Sequence, residues 1–177
     1  LLNLLRLLDN PLQDLPLLAV LRSPWVGLSL DELAWVCAQR RDRPVWQRVR
    51  HWVDNPDPCD PPGLDLQSLR RTLVRFLGQY TRWRQLARLG SVSRCLETIL
   101  SETQYWAWVD SRPDGRIRRL QVERCLELAR DFDRLYGEGL SRFLQRLQRI
   151  QETGYEPEVS PLGGTDAVQF LSIHQSK

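Results

Sequence analysis

The stretch from Asp65 to Leu89 constrains this chain most, because its apolar residues return at helical spacing without a break. Leu66, Leu69, Leu73, Phe76, Leu77, Tyr80, Trp83 and Ala87 fall on one face of a 3.6-residue helix, and Gly90 stands where a helix end accepts glycine. A helix of that kind must be covered by other elements, which points to helices packed on helices. Its opposite face carries Arg70, Arg71, Arg75, Arg82 and Arg84. Those side chains make either a solvated face or one that follows phosphates.

The chain through residue 154 reads the same way. Pro11 and Pro16 sit where helices start or restart, so residues 1–22 read as two short helices. After Ser23-Pro24-Trp25-Val26-Gly27 breaks the pattern, Ser29 and Glu32 have capping-box spacing and predict a helix from Leu30 to Gln39. Pro44 suits a first helical turn ahead of Val45, Trp46, Val49, Trp52 and Val53, and Asn55–Gly63, with Pro56, Pro58, Pro61 and Pro62, reads as a loop. Ser91 or Ser93 caps a helix that buries Leu96, Ile99 and Leu100.

The aromatic cluster Tyr105-Trp106-Ala107-Trp108-Val109 is expected to fill core, with stacking on bases as the alternative. Pro113-Asp114-Gly115 reads as a turn in which the glycine permits the second dihedral. A helix over Arg116–Tyr136 is expected to bury Ile117, Leu120, Leu126, Ala129 and Phe132 and to stop at Gly137. Another over Leu140–Gln151 puts Leu140, Phe143, Leu144, Leu147 and Ile150 on one side. The period changes only at Ala167–Ile173, which is short, β-branched and bounded by turn residues, the pattern of a strand. The expected fold is mainly α, with a short terminal β-strand that has no partner in this chain.

Composition narrows the function classes. With 42% hydrophobic and 27% charged residues among 177, the chain can build a core and is far from a disordered polymer. Arg, Asp, Gln or Pro interrupts every apolar run before the roughly 20 residues a membrane span needs. The opening reads as mid-helix and lacks the pattern of a signal peptide. Cys37, Cys59, Cys95 and Cys125 are widely spaced, and His51 and His174 are the available imidazoles, so the cysteines read as free thiols of a cytoplasmic protein and no metal site is expected.

Net charge is +3, yet every cationic residue except Lys177 and the histidines is Arg. Arg40, Arg41, Arg43, Arg48, Arg50, Arg70, Arg71, Arg75, Arg82, Arg84 and Arg88 outnumber the acids among them. Arg forks onto phosphates bidentately, so a DNA-facing surface is one reading of that bias and a GC-rich genome another. No G-x-x-x-x-G-K-[ST] loop, nuclease-type carboxylate cluster or Ser/His/Asp order is found, and no catalytic residue is expected.

The last twelve residues are more specific. Asp166-Ala167-Val168-Gln169-Phe170-Leu171-Ser172-Ile173-His174-Gln175-Ser176-Lys177 resembles the first half of motif V of UvrD/RecB/AddA-type superfamily 1 DNA helicases, approximately D-x-V-x-L-M-T-I-H-x-S-K-G-L-E. Upstream, Leu21-Arg22-Ser23-Pro24, Gly27-Leu28-Ser29 and Glu32-Leu33 resemble the segment leading from the second motor domain into its inserted subdomain. Tyr105-Trp106-Ala107-Trp108, the Asp114-Gly115 turn and Arg118-Arg119-Leu120 follow in the family's order, with Arg119 where Asn is usual.

The resemblance implies an exit segment over residues 1–22, a helical 2B-type insertion over 23–154, and a linker and strand into motif V over 155–177. It implies an accessory subdomain whose terminal strand is left over from the parent's motor domain, acting in DNA recombination and repair. Ser172, His174, Ser176 and Lys177 would lie near the DNA backbone and the nucleotide connection, with Arg70, Arg71, Arg75, Arg82, Arg84, Arg116 and Arg118 as further nucleic-acid contacts. ATP and Mg²⁺ would belong to the parent, with no cofactor here and no activity from this part alone. The implied partners are a single-strand/duplex DNA junction and a nuclease or helicase subunit, not a membrane. The alternative is a free-standing Arg-rich helical adaptor that binds protein through its Trp and Leu surfaces.

Overall fold

The computed structural model describes residues 1–38, 42–55, 63–137 and 139–153. Among them all regular structure is helical: α1 Leu2–Asp9, α2 Asp14–Arg22, α3 Leu30–Ala38, α4 Val45–Asp54, α5 Leu66–Leu89, α6 Val92–Glu102, α7 Tyr105–Asp110, α8 Gly115–Tyr136 and α9 Leu140–Thr153. The mainly α fold expected from the periodicity is what the chain adopts. The expected strand 167–173, most of the Pro-rich loop after Asn55, and Ser172, His174, Ser176 and Lys177 lie outside the described residues.

α5, about 36 Å long at 1.5 Å per residue, organises the rest. It buries Leu66, Leu69, Leu73, Phe76, Tyr80, Trp83 and Ala87 against α1, α4 and α6. Tyr80 donates its hydroxyl to the Leu7 carbonyl at 3.1 Å and packs 4.4 Å from the Trp46 ring, tying α5 to α1 and α4. On one side α1–α2 and α3–α4 pack as pairs joined through α2. On the other α6 packs along α8, α7 lies against both, and α9 returns to α1, setting Phe143 into the same core.

Three helix starts are closed locally. Ser29 N–H donates to Glu32 Oε2 at 2.7 Å while Glu32 N–H donates to Ser29 Oγ at 3.1 Å, the reciprocal box that their spacing predicts. Asp65 accepts from Ser68 N–H at 2.9 Å, and Ser91, rather than Ser93, accepts from Arg94 N–H at 3.2 Å. Two starts, α4 and again α6, are closed from across the fold. Asp14 on α2 accepts from Val45 N–H at 3.0 Å at the start of α4, and Asp133 on α8 accepts from Val92 and Ser93 N–H at 3.0 and 2.8 Å at the start of α6. Each such bond satisfies a helix-end donor and stabilises by about 1 kcal/mol.

Two expectations about α8 need correction. Ile117 and Leu120 are 62% and 55% exposed, whereas Val122, Leu126, Ala129 and Phe132 are buried. At 100° per residue, Val122, Leu126 and Ala129 define a stripe from which Ile117 and Leu120 lie about 140° away or more. Gly115 continues that stripe, and its turn is read wrongly too. The residue adopts no left-handed backbone; a Cβ there would stand 2.5 Å from the Val109 carbonyl oxygen, so close approach explains the glycine. Gly90 is extended, at φ −141, and not a left-handed cap.

Candidate nucleic-acid interface

The α5 arginines do not form one row. At 100° per residue Arg71, Arg75 and Arg82 fall within about 40° of one another, while Arg70 and Arg84 lie about 100° or more away on the other flank. Several are engaged in packing the fold. Arg70 Nε donates to the Val53 carbonyl at 3.0 Å and Arg71 Nε to the Gln67 carbonyl at 3.4 Å. Arg82 Nη2 meets Glu102 Oε2 at 2.8 Å, and the Trp83 indole N–H donates to the same oxygen at 2.7 Å. Arg84 is half-buried, with an Nε that finds no acceptor among the described residues. Arg75 is exposed and makes no ion pair among the described residues.

The α7–α8 corner is a denser assembly. Gln104 precedes α7 in a left-handed conformation, φ 51 and ψ 35, which for a residue with a side chain costs roughly 1 kcal/mol or more and redirects the chain between α6 and α7. The cluster expected in the core does not fill it: Val109 is buried, but Tyr105, Trp106 and Trp108 remain half-exposed. Tyr105 bridges Trp25 and Trp108, with ring centroids 5.3 and 5.4 Å away, the second pair stacked at 29°. The Arg112 guanidinium lies 4.7 Å from the Trp108 ring centre and that of Arg118 5.9 Å; Arg119 lies 4.8 Å from Trp106.

Carboxylates fix two of these cations. Arg118 Nε donates to Asp114 Oδ2 at 2.7 Å, a bond that holds the Asp114 carboxyl below its usual pKa and raises that of the guanidinium. Arg119 Nη1 reaches both Asp110 oxygens at 2.8 Å, and its Nε lies 3.2 Å from Glu123, so its own pKa is raised first by the Asp110 bond. Arg112 and Arg116 are exposed and make no ion pair among the described residues. The sequence-predicted Arg118 therefore lies at this ring with Arg112, while Arg116 is exposed two residues earlier on α8; Trp108 and Arg112 were not singled out by the periodicity. Their signal was the spacing: a Trp followed at i+4 by an Arg, then a turn that returns α8 to the same ring.

Elsewhere, an open groove of about 890 Å³ between α1, α2 and α9 has Leu15, Leu144 and Leu147 among apolar residues and Asn3, Gln145 and Gln148 among polar ones. The Cys95 thiol donates to the Trp83 carbonyl at 3.6 Å, and burial pushes its pKa up to about 11. Among the described residues no group of three His, Cys, Asp or Glu gathers to hold a metal ion, and no helix is long and apolar enough to cross a membrane.

No family model matches the chain. Curated proteins do, over nearly all of it. The chain is 32% identical over 183 residues, 99% of its length, to AddA, the A-type component of the ATP-dependent helicase/nuclease, from Oceanobacillus iheyensis. It is 33% identical over 177 residues to the protein of that name from Bacillus cereus, and 32% over 187 residues to that of Heliobacterium modesticaldum. The chain is homologous to one segment of the AddA helicase/nucleases. It spans 14% of the length of the first relative and 13% of the last, so it corresponds to a small part of each. The resemblance to AddA-type helicases carried by residues 21–33, 105–120 and 166–177 thus extends across that AddA segment in full.

Proposed function

We propose that the chain is a helical accessory unit, of the inserted 2B type, in an ATP-dependent DNA helicase/nuclease of recombination and repair, where it positions a single-strand/duplex junction. The observation that carries this reading is the alignment of 99% of the chain with one segment of AddA. Surface arginines such as Arg71, Arg75, Arg112 and Arg116 supply cations for phosphates, and Ser172, His174, Ser176 and Lys177 are assigned to the DNA side by the family resemblance alone. The chain has no phosphate loop, and its described residues gather no metal-ligand cluster. In this reading ATP and Mg²⁺ belong to other parts of the parent, in the cytoplasm. A second reading, docking of a partner nuclease or helicase subunit, is favoured by the open groove of mixed apolar and polar lining between α1, α2 and α9.

Anisotropy titration of a labelled single-strand/duplex junction tests the first reading. Micromolar-range binding is expected at low salt, with log K falling against log salt at a slope of about −2 to −3, because a few arginine–phosphate contacts supply the affinity. Absence of junction binding at low salt removes the DNA role and leaves the partner-docking reading.

A further inference from the structure

Trp25, Tyr105 and Trp108 form an aromatic ladder that ends at the surface, where the Arg112 guanidinium lies 4.7 Å from the outermost ring centre. The inner rungs are fixed, since Trp25 and Tyr105 both pack against the core. The outer rung is free to leave, since Arg112 is exposed and has no ion pair among the described residues. Arg116 is also exposed and lies on the first turn of α8, a turn with no acidic residue and no side-chain cap. The acids of the corner are already engaged: Asp114 by Arg118, and Asp110 and Glu123 by Arg119.

We propose that this corner binds an unpaired nucleotide of single-stranded nucleic acid, the base taking the place of Arg112 on the Trp108 indole while Arg112 and Arg116 move onto the adjoining phosphates. The proposal rests on the nucleic-acid reading above and gives it a defined contact. Stacking suits any base, because each has a π-face, and the cations beside the ring match the anion that every nucleotide carries next to its base. An acidic peptide would satisfy the arginines but leave the indole with nothing to stack on.

The test compares a labelled oligo-dT strand with an abasic strand of equal length at low salt. Each is titrated with the 177-residue chain and with Trp108→Leu, Trp108→Phe, Arg112→Ala/Arg116→Ala and Arg71→Ala/Arg75→Ala variants. The chain is expected to prefer oligo-dT, and Trp108→Leu to weaken that strand about 10-fold and erase the preference. Trp108→Phe should keep most of the preference. Arg112→Ala/Arg116→Ala should weaken both strands and flatten the salt dependence. Thermal melting followed by circular dichroism establishes that each variant is folded, and the Arg112→Ala/Arg116→Ala pair decides the matter should Trp108→Leu not fold. Oligo-dT binding that ignores Trp108, Arg112 and Arg116 but collapses in Arg71→Ala/Arg75→Ala would overturn the corner and leave the broader DNA reading intact. Failure of either strand to bind, with Arg112-dependent capture of a poly-glutamate peptide, would overturn both and make the corner a protein contact.

Discussion

Trp83 on α5 and Trp108 on α7 are the same side chain in opposite settings. Trp83 is 1% exposed, gives its indole N–H to Glu102, and lies in a helix flanked by α1, α4 and α6. Trp108 is half-exposed on a six-residue helix that meets α6 and α8, with two arginines near its ring. Arginines differ in the same way. On α5, Arg70 and Arg82 hold neighbouring elements; at the corner, Arg112 has a ring beneath it and no ion pair among the described residues. Aromatic density alone therefore does not decide burial. The cover available from neighbouring helices does.

The comparison breaks most readily at the two tryptophans. Trp83→Ala should cost about 3–5 kcal/mol, because it leaves a cavity in the core and removes one of the two donors to Glu102 Oε2, whereas Trp108→Ala should cost about 1 kcal/mol, the loss of one stacked pair. Urea unfolding midpoints measure both, and equal losses would abolish the distinction.

A smaller effect sharpens the α5 side through Cys95, whose thiol faces the Trp83 carbonyl. Burial moves its pKa from 9.0 to about 11, so the folded state keeps the proton to higher pH than the unfolded chain. The resulting stability is fully present below pH 9 and is lost as pH rises toward 11, by up to about 2–3 kcal/mol. Tyr80 and Tyr105, also raised by burial, add to the alkaline loss, so the informative measurement is the difference in midpoint against pH between the native chain and Cys95→Ala. The native curve should be the steeper; parallel curves would contradict the assignment.

Glycines give the finest probe. Gly115→Ala drives a Cβ to 2.5 Å from the Val109 carbonyl and should destabilise by about 1–3 kcal/mol, opening the junction of α7 with α8. Gly78→Ala, in mid-α5 with nothing within 4 Å of the new atom, should stabilise by about 0.5–1 kcal/mol. Melting temperatures that move in the same direction would show that the two helices do not differ in the way described.

What the sequence made legible was local. The stripe of α5, the Ser29–Glu32 box and the Ser91 cap are written within a few residues of where they act, and periodicity reads them directly. Ile117 and Leu120 misled because they resemble core residues in type while lying off the stripe that Val122 and Leu126 define. The caps supplied by Asp14 and Asp133 were invisible for another reason: they act 31 and about 40 residues from their own positions. In the candidate site, the sequence named Arg118, which lies at the Trp108 ring, but the exposure of Trp108 depended on how short its cover is, which no spacing records.

The Asp133 clamp has a kinetic side. Because its carboxylate closes both leading amides of α6 from the last turn of α8, the first turn of α6 has its full complement of hydrogen bonds only once α8 has docked. The two helices, separated in the chain by α7 and a turn, are therefore expected to open and close as one cooperative unit. Hydrogen exchange at Val92 and Ser93 reports on a helix that begins more than twenty residues later.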